Sequence, residues 1–244
     1  MSDTQAMLEA VDSAAVAVFA FFGSRGQVIA VPVTPYSHEG RVIVTATLAY
    51  TRKAELVRQN PAVALLAGGM HCSGQAEVFS DVSGDFFVTH LLEHELRKYP
   101  PARALTKVPL HRKVFSWYFG RAVISFDAER IETRPGADAV TLVTEAGGRP
   151  SIRSLSSNYA ALDSYVEFST DAPDGQALVV AHRESEDMSD LRQMSVRGEL
   201  RDGVFRERSR SGSLESAGSD SEWARRRRAS KARKMMKDWP EMPV

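Results

Sequence analysis

Thr51-Arg52-Lys53 is the segment of this 244-residue chain best suited to hold an anion. It places a hydroxyl, a planar fork of guanidinium donors and a compact ammonium in three consecutive positions. Ahead of it, Arg41–Ala46 reads as a strand. Behind it, Arg52–Gln59 reads as a helix stopped by Pro61. A helix that starts at such a triplet adds free N–H groups and the positive end of its dipole, the arrangement that receives a phosphate. The competing reading is an ordinary helix start with solvated cations.

Two other constellations could do chemistry. His90-Leu91-Leu92-Glu93-His94 has the H-x-x-E-H spacing of inverted zinc peptidases, and on a regular helix both histidines share a face. No distant carboxylate completes such a site, and Glu93 and Glu95 read as a solvent face beside Arg97 and Lys98, so a solvated helix is the better reading. Cys72 follows His71, but neighbours on a strand point to opposite faces. Cys72 therefore reads as a buried thiol rather than half of a nucleophilic pair. Trp117-Tyr118-Phe119-Gly120-Arg121 reads as aromatic packing on the core, with a lid over a ligand groove as the alternative.

Composition narrows the class. Lys+Arg and Asp+Glu both number 31, so the chain is neutral, which argues against a nucleic-acid-binding protein. With a single cysteine no intrachain disulfide or multi-cysteine metal cluster can form, as suits a reducing cytoplasm. The apolar run from Ala14 to Phe22 is too short to span a bilayer, and acidic rather than basic residues precede it. It reads as a buried strand, and the protein as cytoplasmic with no membrane span.

The elements that must position these residues are mostly short strands. Ala15–Phe22, Gln27–Pro35, Arg41–Ala46, Ala62–Ala67, Cys72–Phe79, Val123–Phe126 and Arg130–Thr133 carry strand patterns, separated by turn signals such as Gly23-Ser24-Arg25-Gly26. Residues 4–12, Arg52–Gln59 and Asp85–Lys98 are helical in pattern. This order predicts a mainly β (α+β) fold built on a barrel. Beyond Pro135 the character changes. Ala139–Thr144, Tyr165–Ser169, Ala177–Ala181 and Gln193–Leu200 remain strand-like and Ser154–Tyr165 reads as a helix, which predicts an α/β extension. From Arg206 to Ser221 the chain is rich in Arg, Ser and Gly and reads as a linker. Trp223–Trp239 is a basic helix candidate, read as solvated or docked within the protein, with contact to nucleic acid or an anionic membrane as the alternative. The expected division is 1–134, 135–205 and 206–244.

These pieces, taken in order, resemble the FMN-binding split-barrel family, the pyridoxamine phosphate oxidase-like proteins. The matching segments are Val31-Pro32-Val33, Val42-Ile43-Val44-Thr45, Thr51-Arg52-Lys53-Ala54, Asn60-Pro61-Ala62-Val63-Ala64-Leu65, Ser73-Gly74-Gln75-Ala76-Glu77-Val78, Ile124-Ser125-Phe126 and Glu129-Arg130-Ile131-Glu132. They cover residues 15–134. The resemblance implies a split β-barrel with flanking helices, a homodimer, and one FMN in each groove between subunits. It implies that Thr51, Arg52 and Lys53 hold the FMN phosphate. Pro32, Val33 and Thr34 would run beside the flavin ring, Thr45, Ala46 and Thr47 would meet its edge or the ribityl chain, and Gln75 would lie near it. The activity implied is an FMN-dependent oxidoreductase, with hydride transfer at flavin N5 to or from a small planar substrate. Relatives on the same fold bind a deazaflavin or haem, so a deazaflavin-dependent reductase and a non-catalytic flavin- or haem-binding module are the alternatives. The paired arginines and histidine of the true pyridoxamine phosphate oxidases do not follow Arg134, so vitamin B6 oxidation is not implied.

Overall fold

The computed structural model describes residues 2–106, 116–133, 140–155, 167–185, 188 and 190–215. The segment from residue 156 to Tyr165, the basic stretch Lys107–Lys113 and the tail Trp223–Trp239 lie outside them.

Helix α1 (Asp3–Ser13) is capped by Ser2, whose hydroxyl accepts from Gln5 N–H. The barrel strands follow: β1 (Ala17–Phe22), β2 (Val28–Val33), β3 (Pro35–His38), β4 (Arg41–Thr47), β5 (Ala62–Ala67), β6 (Met70–Asp81), β7 (Arg121–Phe126) and β8 (Glu129–Thr133). Their order in the sheet is β2-β1-β5-β6-β7-β4-β3, with β8 on β6. The two ends of that order, β2 and β3, are consecutive in the chain and separated only by Thr34. β2 pairs with β1 and β3 pairs with β4, so one strand changes partners at Thr34 and closes the barrel. β6 makes the matching switch. Residues 70–75 pair with β5, and residues 76–81 pair with β7. At the bend sits Gly74, where a Cβ would collide with the Asp127 carbonyl oxygen. The architecture is mainly β, a split barrel with flanking helices.

Alternation sorts the side chains. Phe19, Phe21, Val42, Val44, Cys72, Ala122, Ile124 and Phe126 fill the barrel. Helix α2 (Arg52–Gln59) adds Ala54, Leu56 and Val57 to that core. Burial raises the Cys72 thiol to about 12, so it is an inert packing group, as expected. Outside the barrel wall, Tyr36, Ile43, Phe87, Leu91, Tyr118, Phe119 and Val123 form a second cluster. Tyr118 and Phe119 thus pack on the wall rather than project as a lid.

The helix read over Asp85–Lys98 is broken in its geometry. A π-turn covers Phe87–Leu91, and helix α3 runs only from Leu92 to Lys98. The first histidine of the H-x-x-E-H stretch thus lies in the π-turn and the second in α3, and they have different partners. His90 packs on His38, ring centroids 4.4 Å apart, whereas His94 meets Asp12 at 3.8 Å and Arg97 at 3.1 Å.

The described extension is a second antiparallel sheet: β9 (Val140–Ala146), β10 (Arg149–Ser154), β11 (Glu167–Ser169), β12 (Gly175–Glu184), β13 (Leu191–Arg201) and β14 (Val204–Gly212), in the order β10-β9-β12-β13-β14-β11. The linker reading from residue 206 is corrected here. Residues 206–212 continue β14, so a boundary after residue 205 would cut a strand. Arg206 is directly opposite Glu199, while Arg208 and Arg210 reach Glu199 and Glu207. Pairing with β13 and these ion pairs extend the strand beyond Val204 and Phe205 through residues 206–212, which carry no apolar side chain. Strand β10 also went unread, because Ile152 is its only large apolar residue.

The two sheets share a core. Val18, Ala20, Phe22, Val28, Ala30, Ala62, Ala64 and Leu66 on the outer face of β1, β2 and β5 pack against Val143, Ile152, Leu178 and Val180 of the extension. Among the described residues, no helix is long and apolar enough to cross a membrane.

Candidate functional site

β4 leads into the Thr51 segment. After Thr47 a 3-10 turn, Leu48–Tyr50, carries the chain outward, pinned by Leu48 N–H donating to the Gly120 carbonyl at 3.2 Å. Thr51 is the N-cap of α2, yet its side chain caps no backbone N–H. Its hydroxyl donates instead to Glu55 Oε1 at 3.0 Å, and Arg52 Nη1 donates to Glu55 Oε2 at 3.1 Å. Thr51 is buried and Arg52 is exposed. The two donors converge on one planar anion, which here is the chain's own carboxylate.

Lys53 goes elsewhere. Successive helical residues are rotated by about 100°, and Lys53 turns inward where Arg52 turns out. Its ammonium donates to the Thr45 carbonyl at 3.1 Å and lies 5.9 Å from the Phe19 ring centroid, at the mouth of the barrel. Burial, and then the nearby Arg121 charge, lower its pKa to about 8. Thr45 is one step beyond the Val44–Pro35 pair, level with Thr34 where β2 passes into β3. Lys53, Thr45 and Thr34 therefore mark the seam of the barrel. Thr45 and Thr47 are half-buried, and Ala46 between them is buried. Pro32 is paired with Val18 in β1, and Val33 points into the barrel core. Gln75 is exposed and paired with Ala62. The residue of β6 level with Thr47 across β7 is Asp81, six positions from Gln75. That separates Gln75 from Thr47 by roughly 20 Å along the strand. Within one chain Thr51, Arg52, Thr45, Thr47 and Thr34 cluster around the start of α2 and the seam, and Gln75 does not join them.

Arg121 was missed as a site residue. It is directly opposite Thr47 on β4 and Asp81 on β6. The buried guanidinium lies 4.0 Å from the Phe87 ring and 4.5 Å from the Tyr118 ring, with Glu95 Oε1 at 3.8 Å. Its Nε is buried with no hydrogen-bond partner among the described residues. A usable signal was present: an arginine directly after Gly120, leading into the apolar run Ala122-Val123-Ile124.

A cavity of about 860 Å³ lies elsewhere, between Asp12 and Ser13 of α1, His94, Arg97 and Lys98 of α3, and Glu184, Ser185 and Met188. None of the candidate cofactor residues lines it. Its buried Lys98 donates to the carbonyls of Val11 and Pro35, each at 2.6 Å. Burial is the first cause that lowers the Lys98 pKa to about 8. A neutral amine keeps two N–H groups, enough for both carbonyls.

These shifts predict the pH profile of stability. For Lys53 and Lys98, near 8 when folded against 10.5 otherwise, the unfolded chain binds more protons across that window, so stability rises with pH there. Cys72, raised from 9.0 to about 12, and Tyr36 and Tyr118, raised above 10.0, act oppositely, and stability falls once the unfolded thiol and phenols ionise. Thermal melts from pH 7 to 11 are expected to peak between about 8 and about 10. A maximum at neutral pH would contradict the lowered pKa values of Lys53 and Lys98, and Lys98→Met should flatten the rising limb.

No protein-family model and no curated protein matches the chain. Solved structures do. A conserved hypothetical protein from Mycobacterium tuberculosis aligns over 54% of this chain and 82% of its own, at 19% identity and a TM-score of 0.39. A Listeria innocua protein assigned as a pyridoxamine 5'-phosphate oxidase aligns over 54% and 98%, at 16% identity and a TM-score of 0.37. An FAD-binding protein from Mesorhizobium loti aligns over 54% and 92%, at 16% identity and a TM-score of 0.31. The solved structures to which this chain is similar thus include one assigned as a pyridoxamine 5'-phosphate oxidase and one described as FAD-binding.

Proposed function

We propose that the barrel binds a flavin-type cofactor through its phosphate, that the cofactor is FMN, and that the protein is an FMN-dependent oxidoreductase acting on a small planar substrate. The observation that carries this reading is the convergence of Thr51 Oγ1 and Arg52 Nη1 on a single carboxylate at the start of α2. Donors that satisfy the two oxygens of a carboxylate can satisfy two oxygens of a phosphate. The first-turn N–H groups of α2 have no side-chain cap from Thr51 and add to the same field.

Once bound, FMN supplies hydride chemistry at N5, so the chain's task is to bind, orient and exclude water. Arg52 and Thr51 hold the phosphate. Thr47, Thr45 and Thr34 line the path from α2 to the seam and offer hydroxyls to the ribityl chain and ring. Lys53 keeps its ammonium on the Thr45 carbonyl, which fixes β4 against α2 and lends positive potential to the site. The remaining wall, with Gln75, is assigned to a second copy in a homodimer.

The test is the visible spectrum of the purified protein after incubation with FMN and desalting. Retained flavin bands are expected. Arg52→Ala, which removes a charge-assisted hydrogen bond, should weaken FMN binding by about 10- to 100-fold. A wild-type protein that retains no FMN would sink the reading.

A further inference from the structure

The proposed phosphate contact already holds an anion. Glu55 Oε1 accepts from Thr51 and Oε2 from Arg52, so each carboxylate oxygen takes one donor. An ordinary surface pair three residues apart would involve Arg52 alone. Here a second donor is drawn in. Threonine at an N-cap normally accepts from a backbone N–H of the first turn. Thr51 makes no such bond and commits its hydroxyl to Glu55. With 2% of its surface exposed, Thr51 has little water to turn to if that partner leaves. Glu55 itself is 37% exposed, so its carboxylate has a path out to solvent.

We propose that Glu55 is the residue that sets the affinity and charge selectivity of this site, as an internal anion that a cofactor phosphate must displace. The inference rests on the reading of Thr51 and Arg52 as the phosphate contact. Binding is then an exchange. The phosphate takes the two donors, and the Glu55 carboxylate swings outward. The exchange costs the protein its internal pair, and the displaced carboxylate stays close enough to repel a dianion. A ligand with the same ring system but no phosphate does not meet this opposition.

The experiment is a titration of the full-length cofactor-free protein with FMN, followed by quenching of flavin fluorescence, and in parallel with riboflavin. Wild type, Glu55→Gln, Glu55→Ala and Arg52→Ala are compared, each checked for an unchanged far-ultraviolet dichroism spectrum. Glu55→Gln and Glu55→Ala are expected to bind FMN about tenfold more tightly than wild type, with riboflavin affinity unchanged. Wild type that binds FMN, with neither Glu55 variant tighter, overturns the role of Glu55 and leaves the phosphate contact standing. Equal FMN affinity in wild type and Arg52→Ala overturns the phosphate contact, and the role of Glu55 falls with it. Absence of FMN binding in both wild type and Glu55→Gln does the same.

Discussion

A chain ended at Thr133 is expected to collect in the insoluble fraction, although it contains every barrel strand. The reason lies on the outer face of β1, β2 and β5. Val18, Ala20, Phe22, Val28, Ala30, Ala62, Ala64 and Leu66 are all at most 5% exposed in the full chain, and they share a core with Val143, Ile152, Leu178 and Val180 of the extension. A β-sheet face this apolar needs a cover. At about 1.5 to 3 kcal/mol for each large side chain (Val18, Phe22, Val28 and Leu66), uncovering it forfeits on the order of 10 kcal/mol, as much as a whole domain's net stability. The cover also guards an edge. Gln193 Nε2 donates to the Ala30 carbonyl at 3.2 Å and Arg197 Nη1 to the Val28 carbonyl at 3.1 Å, and both acceptors lie on strand β2 at the end of the sheet order. Without the extension those carbonyls flank a bare apolar strand, a template for edge-to-edge association. In the full chain, Leu178→Asp places a charge in the same interface and should lower the melting temperature by about 10 °C. A soluble fragment of residues 1–133 that melts cooperatively at the temperature of the full chain would show that the extension is dispensable to the barrel.

That interface also shows where reading residues along the chain runs out. α2 was legible to the residue, because Asn60-Pro61 stops it and its apolar positions follow helical spacing. β5 was equally clear, with alanine, valine and leucine bounded by Pro61 and Gly68. Strands stabilised by neighbours were not legible. β10 offers Ile152 and Pro150 to cores and is otherwise polar, and β14 places Arg206, Arg208 and Arg210 where only pairing with β13 and carboxylates on Glu199 and Glu207 makes a strand of them. The site divides similarly. A hydroxyl and cations at a strand-to-helix junction could be read from spacing. That Lys53 enters the barrel mouth while Arg52 stays outside depends on where β4 leaves its carbonyl. Glu55 was unread because an acidic residue in a first helical turn is ordinary, and only its two contacts distinguish it. Arg121 depends on α3 and the π-turn folding back over β7, which no local pattern encodes.

The second large effect is expected at Glu95. This carboxylate, 6% exposed, is the acceptor for two buried phenols, Tyr36 and Tyr118, the latter at 2.8 Å. It is also the anion facing the buried Arg121 guanidinium at 3.8 Å. Burial, with the Glu95 charge adding to it, holds both phenols protonated far above their usual range, so both remain donors across the working pH range. Glu95→Ala removes the acceptor and the counter-charge at once, leaving two hydroxyls and a guanidinium buried together. Breaking such a network costs about 3 to 5 kcal/mol, which lowers the melting temperature of a chain this size by about 10 °C. Glu95→Gln keeps the volume and one carbonyl acceptor and should cost less. A cycle pairing Glu95→Gln with Tyr118→Phe should be strongly non-additive, because the two share one hydrogen bond. The damage should also reach the cofactor. Arg121 is directly opposite Thr47, and its charge is the second cause of the lowered Lys53 pKa. Losing Glu95 leaves that positive charge unbalanced behind the phosphate contact and frees Arg121 to leave its slot between Phe87 and Tyr118. Glu95→Ala should therefore change FMN affinity even at temperatures where the protein remains folded. A variant that melts within a degree or two of wild type and binds FMN unchanged would mean that this network neither holds the wall of the barrel nor communicates with the site in front of it.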